Sequence, residues 1–238
     1  MEFLINNPQF WRSNGINEEH PDRIVLRLED GKLKLPDKIK DQLGLGLDTE
    51  VNIQFNQKGI YFERADPRLT KVYIEPTSDC NLNCKTCVRH YWKEEMGFME
   101  LSNYKKLIEE LKAFQGLEKI SFWGIGEPLF HPQIAQMIEL ASELGVKTQL
   151  ITNALLLDQE KIESILEAGL DSLVVSVDGT SPETMADIRS GAVLKTIIEN
   201  VQNFRKIRDK KQKACEIGIE YVIMKSNVNE LKDLRKLA

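Results

Sequence analysis

After about residue 70, short apolar runs rich in β-branched residues alternate with longer segments whose apolar residues recur every three or four positions. The first pattern predicts buried β-strands, and the second predicts amphipathic helices. Strands are predicted over residues 71–75, 119–123, 147–152, 172–177 and 218–223. Such alternation predicts parallel strands joined by right-handed crossovers, so that the five strands form an open doubly wound sheet or part of a (βα) barrel.

The helices between these strands are predicted over residues 102–114, 131–145, 158–169 and 193–211. The last stretch of the chain, NVNELKDLRKLA, also has a helical period. No strand follows for this helix to pack against, and we therefore expect a chain that is truncated at its C terminus. Residues 70–238 are predicted to form one α/β domain.

Residues 1–66 have a different pattern, with short alternating runs separated by turn signals. RIVLRLEDGKLKLP predicts a hairpin that turns at Asp30-Gly31, and EVNIQFNQKGIYFER predicts a second hairpin that turns at Lys58-Gly59. Between them, PDKIKDQLGLG predicts a short helix. This order resembles the AbrB-type swapped-hairpin family, whose domains often dimerise and bind DNA.

The charge of this small β-rich domain argues against DNA binding, because it has nine Lys and Arg against twelve Asp and Glu. A module that forms a dimer or docks a partner is the alternative that its residues favour. The whole chain of 238 residues has a net charge of −5, which disfavours nonspecific binding to nucleic acid or to an anionic membrane.

The cysteine usage and the terminal segment indicate the cellular compartment. No run of about 18 apolar residues is present to span a membrane, and the N terminus lacks the basic start and long apolar core of a signal peptide. Three of the four cysteines lie within eight positions, which is not the pattern of a secreted disulfide framework. A cytoplasmic protein with a thiolate site is therefore predicted.

The three crowded cysteines, Cys80, Cys84 and Cys87, form a C-x3-C-x2-C motif in the stretch EPTSDCNLNCKTCVRH. Iron–sulfur cubanes are commonly held by four cysteines, so three thiolates leave one iron open to a substrate or cosubstrate. The alternative is a structural zinc ion held by the same thiolates and by His90, three residues beyond the last cysteine. The spacing alone leaves both metal sites open.

Four unusual loops directly follow four consecutive predicted strands. PTSDCNLNCKTC follows the first strand, WGIGEP the second, TNA the third and VDG the fourth. Because the carboxyl ends of parallel strands share one edge of a sheet or barrel, all four loops are expected at the same edge. That edge is the predicted functional site in either architecture.

A C-x3-C-x2-C motif after the first strand and a GGE-like loop after the second resemble those of the radical S-adenosylmethionine (SAM) superfamily. The resemblance covers about residue 70 to the end, and it implies a partial (βα) barrel of the TIM type in which Cys80, Cys84 and Cys87 hold a [4Fe-4S] cluster. It further implies that the open iron chelates SAM and that reductive cleavage of SAM yields a 5′-deoxyadenosyl radical. An electron donor such as a ferredoxin or a flavodoxin is an implied partner.

WGIGEP resembles the GGEP loop of the superfamily, with Ile125 in place of a glycine. The resemblance implies that Gly124 and Gly126 let the backbone approach SAM closely. It also implies that the Glu127 carboxylate holds the methionine ammonium group. The alternative is a surface turn that precedes the next helix.

TNA resembles the TNG motif after the third strand, with Ala154 in place of glycine, and implies that Asn153 lies at the edge of SAM. An asparagine at a strand end is equally typical of turn chemistry. VVSVDGTSPETMADIRSG resembles the segment of the fourth strand and implies that Ser176 and Asp178 bind ribose hydroxyls and that Arg189 binds the methionine carboxylate. For Arg189, the alternative is a solvated position on a helix.

The strings CNLNCKTCVRHYWKEEMGFM and FWGIGEPLFHP most resemble the maturases of tungsten-cofactor aldehyde oxidoreductases. A tungsten-dependent aldehyde oxidoreductase is therefore implied as a protein substrate, although we do not expect the auxiliary SPASM-type domain of these maturases in this chain. Peptide- or sulfatase-modifying maturases with the same core loops are the alternative enzymes. A zinc-bearing DNA-binding regulator is the alternative from another class, and it leaves WGIGEP and VSVDG unexplained.

Overall fold

The computed structural model describes residues 27–29, 32–34, 37, 40, 51–56, 59–64, 69–93, 95–114 and 116–237. The chain divides into two compact units, Met1–Arg68 and Leu69–Ala238. Within these described residues, the first unit shows two sheets of two strands each, and the second unit shows one sheet of five strands.

Each small sheet of the first unit is one antiparallel hairpin. Strand β1 pairs with β2 and β3 pairs with β4, and these strands span Arg27–Glu29, Lys32–Lys34, Val51–Asn56 and Gly59–Arg64. Both hairpins agree with the sequence pattern, except that Gly59 begins β4 and pairs with Asn56. Of the helix predicted between the hairpins, Asp37 and Lys40 are helical, and the rest lies outside the described residues. The AbrB-type assignment of this unit stays a prediction.

The second unit is built on one parallel sheet with the strand order β5-β6-β7-β8-β9. These strands span Lys71–Ile74, Lys119–Phe122, Lys147–Thr152, Ser172–Ser176 and Glu216–Glu220. A doubly wound sheet reverses its strand order at a switch point, whereas this order runs in one direction, as in an arc of a (βα) barrel. The predicted α/β architecture with a partial barrel is thereby confirmed.

The helices of the second unit connect the strands. Within its described residues, α1 to α5 span Leu101–Leu111, Ile134–Ser142, Gln159–Glu167, Pro182–Ile188 and Leu194–Lys210. The side chains of Asp158 and Ser181 cap α3 and α4 by accepting the amides of Lys161 and Thr184. In the part of the chain that the structure describes, no helix is long and apolar enough to cross a lipid bilayer.

Two predicted elements near the C terminus differ in the structure. The fifth strand, predicted over residues 218–223, ends at Glu220 because the Val222 amide donates to the Asp178 carboxylate (2.8 Å) instead of to a neighbouring strand. The last segment, predicted as an α-helix, is a 3₁₀ helix over Val228–Lys236. At its two ends, the Glu230 amide donates to the Asn227 carbonyl and the Leu237 amide donates to the Leu234 carbonyl, each three residues back.

One face of the five-stranded sheet packs against the helices. Phe122 of β6 is fully buried, and its ring lies 6.2 Å from the ring of Tyr104 on α1. The Tyr104 hydroxyl in turn donates to the Met137 carbonyl on α2 at 2.8 Å. Side chains alternate along a strand, so Tyr73 and Trp123 lie on the opposite face, where both are exposed. We call this second side of the sheet the open face.

Candidate active site at the carboxyl edge of the sheet

The loops that follow the strands meet at the carboxyl edge of the sheet, where hydrogen bonds join them. The Glu127 amide after β6 donates to the Asp79 carbonyl after β5, and the Asn153 amide after β7 donates to the Glu127 carboxylate, both at 2.8 Å. In the loop of the three cysteines, the Lys85 amide donates to the carbonyl of Ile188, the last residue of α4, at 2.9 Å. All four sequence motifs therefore lie at one edge, as the strand pattern predicts.

Arg89 holds the cysteine loop in shape. Its Nε donates to the Cys87 sulfur at 3.4 Å, and its Nη atoms donate to the carbonyls of Cys80 (3.5 Å) and Leu82. The Leu82 amide also donates to the Cys80 sulfur at 3.4 Å. Such bonds favour the thiolate form of a cysteine, which is the form that binds a metal.

Opposing effects act on the protonation of the cysteine thiols. Burial raises the pKa of the Cys80 and Cys84 thiols above the ordinary value. The Leu82 amide and the Arg89 charge oppose this shift at Cys80, and the Arg189 charge opposes it at Cys84. Two guanidinium groups therefore compensate part of the cost of placing negative sulfur atoms in this loop.

The donor set fits a cluster with three protein ligands. Cys80, Cys84 and Cys87 are half-buried free thiols in one loop. The zinc alternative requires His90 as fourth ligand, but His90 Nε2 lies 2.8 Å from the Cys84 carbonyl oxygen. Three thiolates from one loop are a donor set that suits an iron–sulfur cluster with one open iron.

The two glycines of WGIGEP have different neighbours. A Cβ atom on Gly126 would overlap the Thr77 carbonyl oxygen and would lie 2.7 Å from that of Asp79, so the cysteine loop and this loop touch backbone to backbone. A Cβ atom on Gly124 would meet only the Glu75 side chain, with Cδ at 2.5 Å. Gly126 is therefore required by the backbone, whereas Gly124 makes room for a side chain.

Glu127 is buried beneath its loop, with 3% of its surface exposed. Its Oε1 accepts from the Leu129 amide (3.0 Å) and the Thr152 hydroxyl (2.6 Å), and its Oε2 accepts from the Asn153 amide. Burial raises the pKa of this carboxyl group, while these hydrogen bonds and the Arg189 charge oppose the shift. The structure thus gives Glu127 a bracing role between β6 and β7 that the sequence does not predict.

Asn153 makes the turn contact that its motif allows and a second contact to the cysteine loop, while its position at the edge of SAM stays a prediction. Its Oδ1 accepts from the Leu155 amide at 3.0 Å, which is turn chemistry. Its Nδ2 donates to Asn81 Oδ1 at 2.8 Å and lies 3.9 Å from the Cys80 sulfur. The following residue, Ala154, has a left-handed φ of 61°, a conformation that glycine adopts without strain. Asn153 therefore ties the third strand to the cysteine loop.

Asp178 and Arg189 form an ion pair in which the carboxylate is buried and the guanidinium is half-buried. Asp178 Oδ2 lies 2.7 Å from Arg189 Nε, and Asp178 Oδ1 accepts the Val222 amide. Each carboxylate oxygen thus has one partner within the protein and keeps a second lone pair, so the ribose contact expected of Asp178 stays a prediction. Ser176, on the same strand face, donates its hydroxyl to Glu220 at 3.2 Å. In the described part of the chain, Arg189 bonds only through Nε, which leaves its terminal amino groups for a ligand.

Two residues that support this ion pair lie far away in the sequence. Asn227 is fully buried, and its Nδ2 donates to the Asp178 carbonyl and the Val222 carbonyl, both at 2.9 Å. The nearby Glu230 carboxylate accepts from the Thr180 amide (2.5 Å) and the Thr184 hydroxyl (2.6 Å) at the start of α4. No local pattern predicts the contacts of Asn227 with Asp178 and of Glu230 with Thr180 and Thr184, since they join segments more than 40 residues apart. Arg89, in contrast, stands two residues after the last cysteine of the motif.

Comparisons with known proteins agree with this geometry. A family model described as the Radical SAM superfamily matches residues 74–238. The chain is 30% identical over 169 residues to a tungsten-containing aldehyde ferredoxin oxidoreductase cofactor-modifying protein of Pyrococcus furiosus, covering 69% of this chain and 47% of that protein. It is 37% identical over 119 residues to a GTP 3′,8-cyclase of Chlorobaculum tepidum, covering 49% of this chain and 35% of that enzyme. The chain thus spans about half or less of these relatives.

A solved structure shows the same fold. Streptococcus suis SuiB bound to S-adenosylmethionine superposes with a TM-score of 0.53 over 70% of this chain and 37% of that chain. The two sequences are 20% identical, so this likeness concerns the fold alone.

Gly126→Ala should destabilise the protein far more than Gly124→Ala does. The new methyl group at position 126 meets backbone carbonyls that cannot move without separating the two loops, and we expect a loss of about 3 kcal/mol. At position 124, the Glu75 side chain can rotate away but then loses its exposed hydrogen bond to the Ile125 amide, and we expect a loss of about 1 kcal/mol. Urea unfolding of both variants measures the difference, and equal losses would contradict the backbone contact.

Glu230→Gln should lower stability at neutral pH but not in acid. Burial raises the pKa of Glu230, but the hydrogen bonds from Thr184, Thr180 and Ser181 outweigh it and lower the pKa from 4.5 to about 2. The folded state therefore favours the ionised carboxylate, and its contribution is complete above pH 4.5 and is lost as the pH falls toward 2.

The measurement is the difference in urea midpoint between the wild type and Glu230→Gln at several pH values. The difference should narrow as the pH falls below 4.5. Glu139→Gln, which removes an exposed carboxylate on α2, is the matched control and should show no such trend. A difference that stays constant with pH would mean that the contacts of Glu230 do not depend on its charge.

Proposed function

Because the chain belongs to the radical SAM superfamily, we propose that Cys80, Cys84 and Cys87 hold a [4Fe-4S] cluster that binds and cleaves SAM. The cofactors of the superfamily are this cluster and SAM. When bound, they supply an electron and a 5′-deoxyadenosyl radical for abstraction of hydrogen from a substrate. The site lies at the carboxyl edge of the sheet, where (βα) barrels carry their active sites.

The observation that carries this proposal is the arrangement of three half-buried thiols between two guanidinium groups. Arg89 donates to the Cys87 sulfur, and Arg189 stands close enough to Cys84 to oppose the rise in its pKa. A cluster with thiolate ligands brings negative charge into this loop, and both arginines favour that charge. The same arginines are fixed by the protein before any cofactor arrives.

Arg189 is the residue that we assign to the methionine carboxylate of SAM. Asp178 fixes its Nε, so its two terminal amino groups point in a set direction and can bind a carboxylate bidentately. Asp178 acts on the site through Arg189, and each of its oxygens keeps a lone pair that can accept from a ribose hydroxyl. Ser176 retains a hydroxyl at the same strand end, and we assign it to the ribose.

The loop of WGIGEP is assigned to the ammonium end of SAM. Gly126 lets this loop contact the backbone of the cysteine loop, and Gly124 leaves room for the Glu75 side chain. The buried Glu127 carboxylate holds the loop in place by accepting the Thr152 hydroxyl of β7. An ammonium group nearby would favour the ionised form of the buried Glu127 carboxylate. Asn153, which reaches the cysteine loop, is assigned to the edge of the cosubstrate.

The finer function that we propose is maturation of a tungsten-cofactor oxidoreductase. The support is the similarity to the Pyrococcus furiosus cofactor-modifying protein over 69% of this chain. A tungsten-dependent aldehyde oxidoreductase would be the protein substrate, and a ferredoxin or flavodoxin would supply electrons. We further propose a cytoplasmic location, where free thiols stay reduced, and an AbrB-like N-terminal domain that forms a dimer.

Cys84→Ala should abolish both the cluster and SAM cleavage. After anaerobic reconstitution with iron and sulfide, the variant should lack the brown absorbance and should form no 5′-deoxyadenosine with dithionite and SAM. Cys215→Ala is the matched control, because Cys215 directly precedes β9 and so lies at the amino edge, away from the site. SAM cleavage that survives in Cys84→Ala would refute the assignment of the cluster.

A further inference from the structure

The open face of the five-stranded sheet carries a row of lysines at its amino edge. Lys71 pairs in register with Lys119, and Lys119 pairs in register with Lys147, on three neighbouring parallel strands. Residues in register on parallel strands point to the same side of the sheet, so the three lysine side chains project from the same face. Like charges directly opposite each other repel. An anion on this face would remove that repulsion.

The three lysines differ in how far the protein neutralises them. Lys147 forms an ion pair with Asp171 at 2.6 Å, and the negative charge of Glu216 also stabilises its ammonium group. Lys71 lies over the Tyr73 ring, with Nζ 4.3 Å from the ring centre, which holds its charge above the open face. Within the described residues, Lys119 makes no ion pair. Lys71 and Lys119 are therefore the cations that are available to a ligand.

An aromatic pair lies above the lysines, on the way to the candidate active site. The rings of Tyr73 and Trp123 meet edge to face at 5.8 Å, and the two side chains are 55% and 45% exposed. Exposed aromatic faces are stacking surfaces for planar rings. Beside them, Ser121 donates to Gln149 Oε1 at 3.1 Å, which leaves the Gln149 amide nitrogen as a donor to the edge of a ring.

The order of these features along the strands defines the shape of a ligand. Four residues separate Lys71 from Glu75 at the carboxyl edge, which is about 13 Å along a strand. Tyr73 lies about halfway along that distance, whereas Trp123, which follows Phe122 in the register, is level with Glu75 near the carboxyl edge. A molecule that spans this distance would place an anionic group at the lysines, a planar ring at the aromatic pair and its reacting atoms at the cysteine loop.

We propose that the open face binds the part of the substrate that reacts with the radical and that this part is a phosphorylated planar heterocycle. Lys71 and Lys119 bind the phosphate, Trp123 and Tyr73 hold the ring, and Gln149 bonds to its edge. This inference rests on the proposed function, because it places the reacting end of the molecule at the SAM site. It adds the chemical class of the substrate and the residues that select it.

The test compares guanosine 5′-monophosphate with guanosine, which carries the same ring without the phosphate. Affinities are measured by equilibrium dialysis with the full chain, reconstituted with iron and sulfide. We expect the nucleotide to bind about tenfold more tightly than the nucleoside, which corresponds to one phosphate contact. The Lys71→Gln/Lys119→Gln double variant should lose this advantage and keep the weaker binding of guanosine.

Trp123→Ala should weaken both probes, because it removes the stacking surface and leaves the lysines in place. Lys105→Gln/Lys106→Gln, which removes two exposed lysines on α1, is the matched control and should bind both probes as the wild type does. Equal affinities of the wild type for the two probes, an unchanged preference in the Lys71/Lys119 variant, or lysine-dependent binding of an acidic peptide in place of the nucleotide would overturn the inference.

The experiments distinguish a refutation of the proposed function from a refutation of this inference. If wild-type protein does not cleave SAM, the radical chemistry is refuted whatever the nucleotide does. If the wild type cleaves SAM but does not prefer the phosphorylated probe, only the substrate class is refuted. The dialysis experiment itself requires no turnover and therefore reports on the open face alone.

Discussion

The Glu127 carboxylate is buried between the loops that follow β6 and β7, and it accepts hydrogen bonds from both of them. Its own amide donates to the Asp79 carbonyl in the cysteine loop, and the preceding Gly126 leaves no space there for a side chain. A buried carboxylate without such partners is costly, so each loop depends on the others for its position. The shape of the cysteine loop is thus set by residues of the next two strands.

Two guanidinium groups place positive charge near the thiols. Arg89 belongs to the cysteine loop itself, whereas Arg189 comes from the end of α4 and is held by Asp178. Breaking a buried ion pair by removal of one partner costs about 3–5 kcal/mol, because the other charge is left without compensation. Asp178 also stops the last strand by accepting the Val222 amide, so one carboxylate serves both the fold and the site.

Periodicity and motif spacing predict the parts of the structure that are local. The five strands, the edge at which their loops meet and the thiols at this edge all follow from patterns within about 20 residues. The supports of the site do not, because Asn227 reaches Asp178 and Glu230 reaches Thr180 across about 50 residues with no shared pattern. Strand β9 ends before its predicted end for the same reason, since the distant Asp178 carboxylate accepts the hydrogen bond of the Val222 amide.

The sequence does not predict the bracing role of Glu127, and the reason is a different one. Its motif predicts that the carboxylate lies at the site, but the burial and the three donors around it depend on how β6 and β7 pack side by side. Local sequence therefore predicts which residues gather at the edge more reliably than what each one contacts.

Electron paramagnetic resonance of the reduced, reconstituted protein, recorded with and without SAM, tests whether the three thiolates hold a cluster with one open iron. A [4Fe-4S] signal that shifts when SAM is added is predicted, because the three thiolates leave one iron open to the cosubstrate. A colourless protein that holds one zinc ion, or a cluster signal that does not change with SAM, would contradict the account.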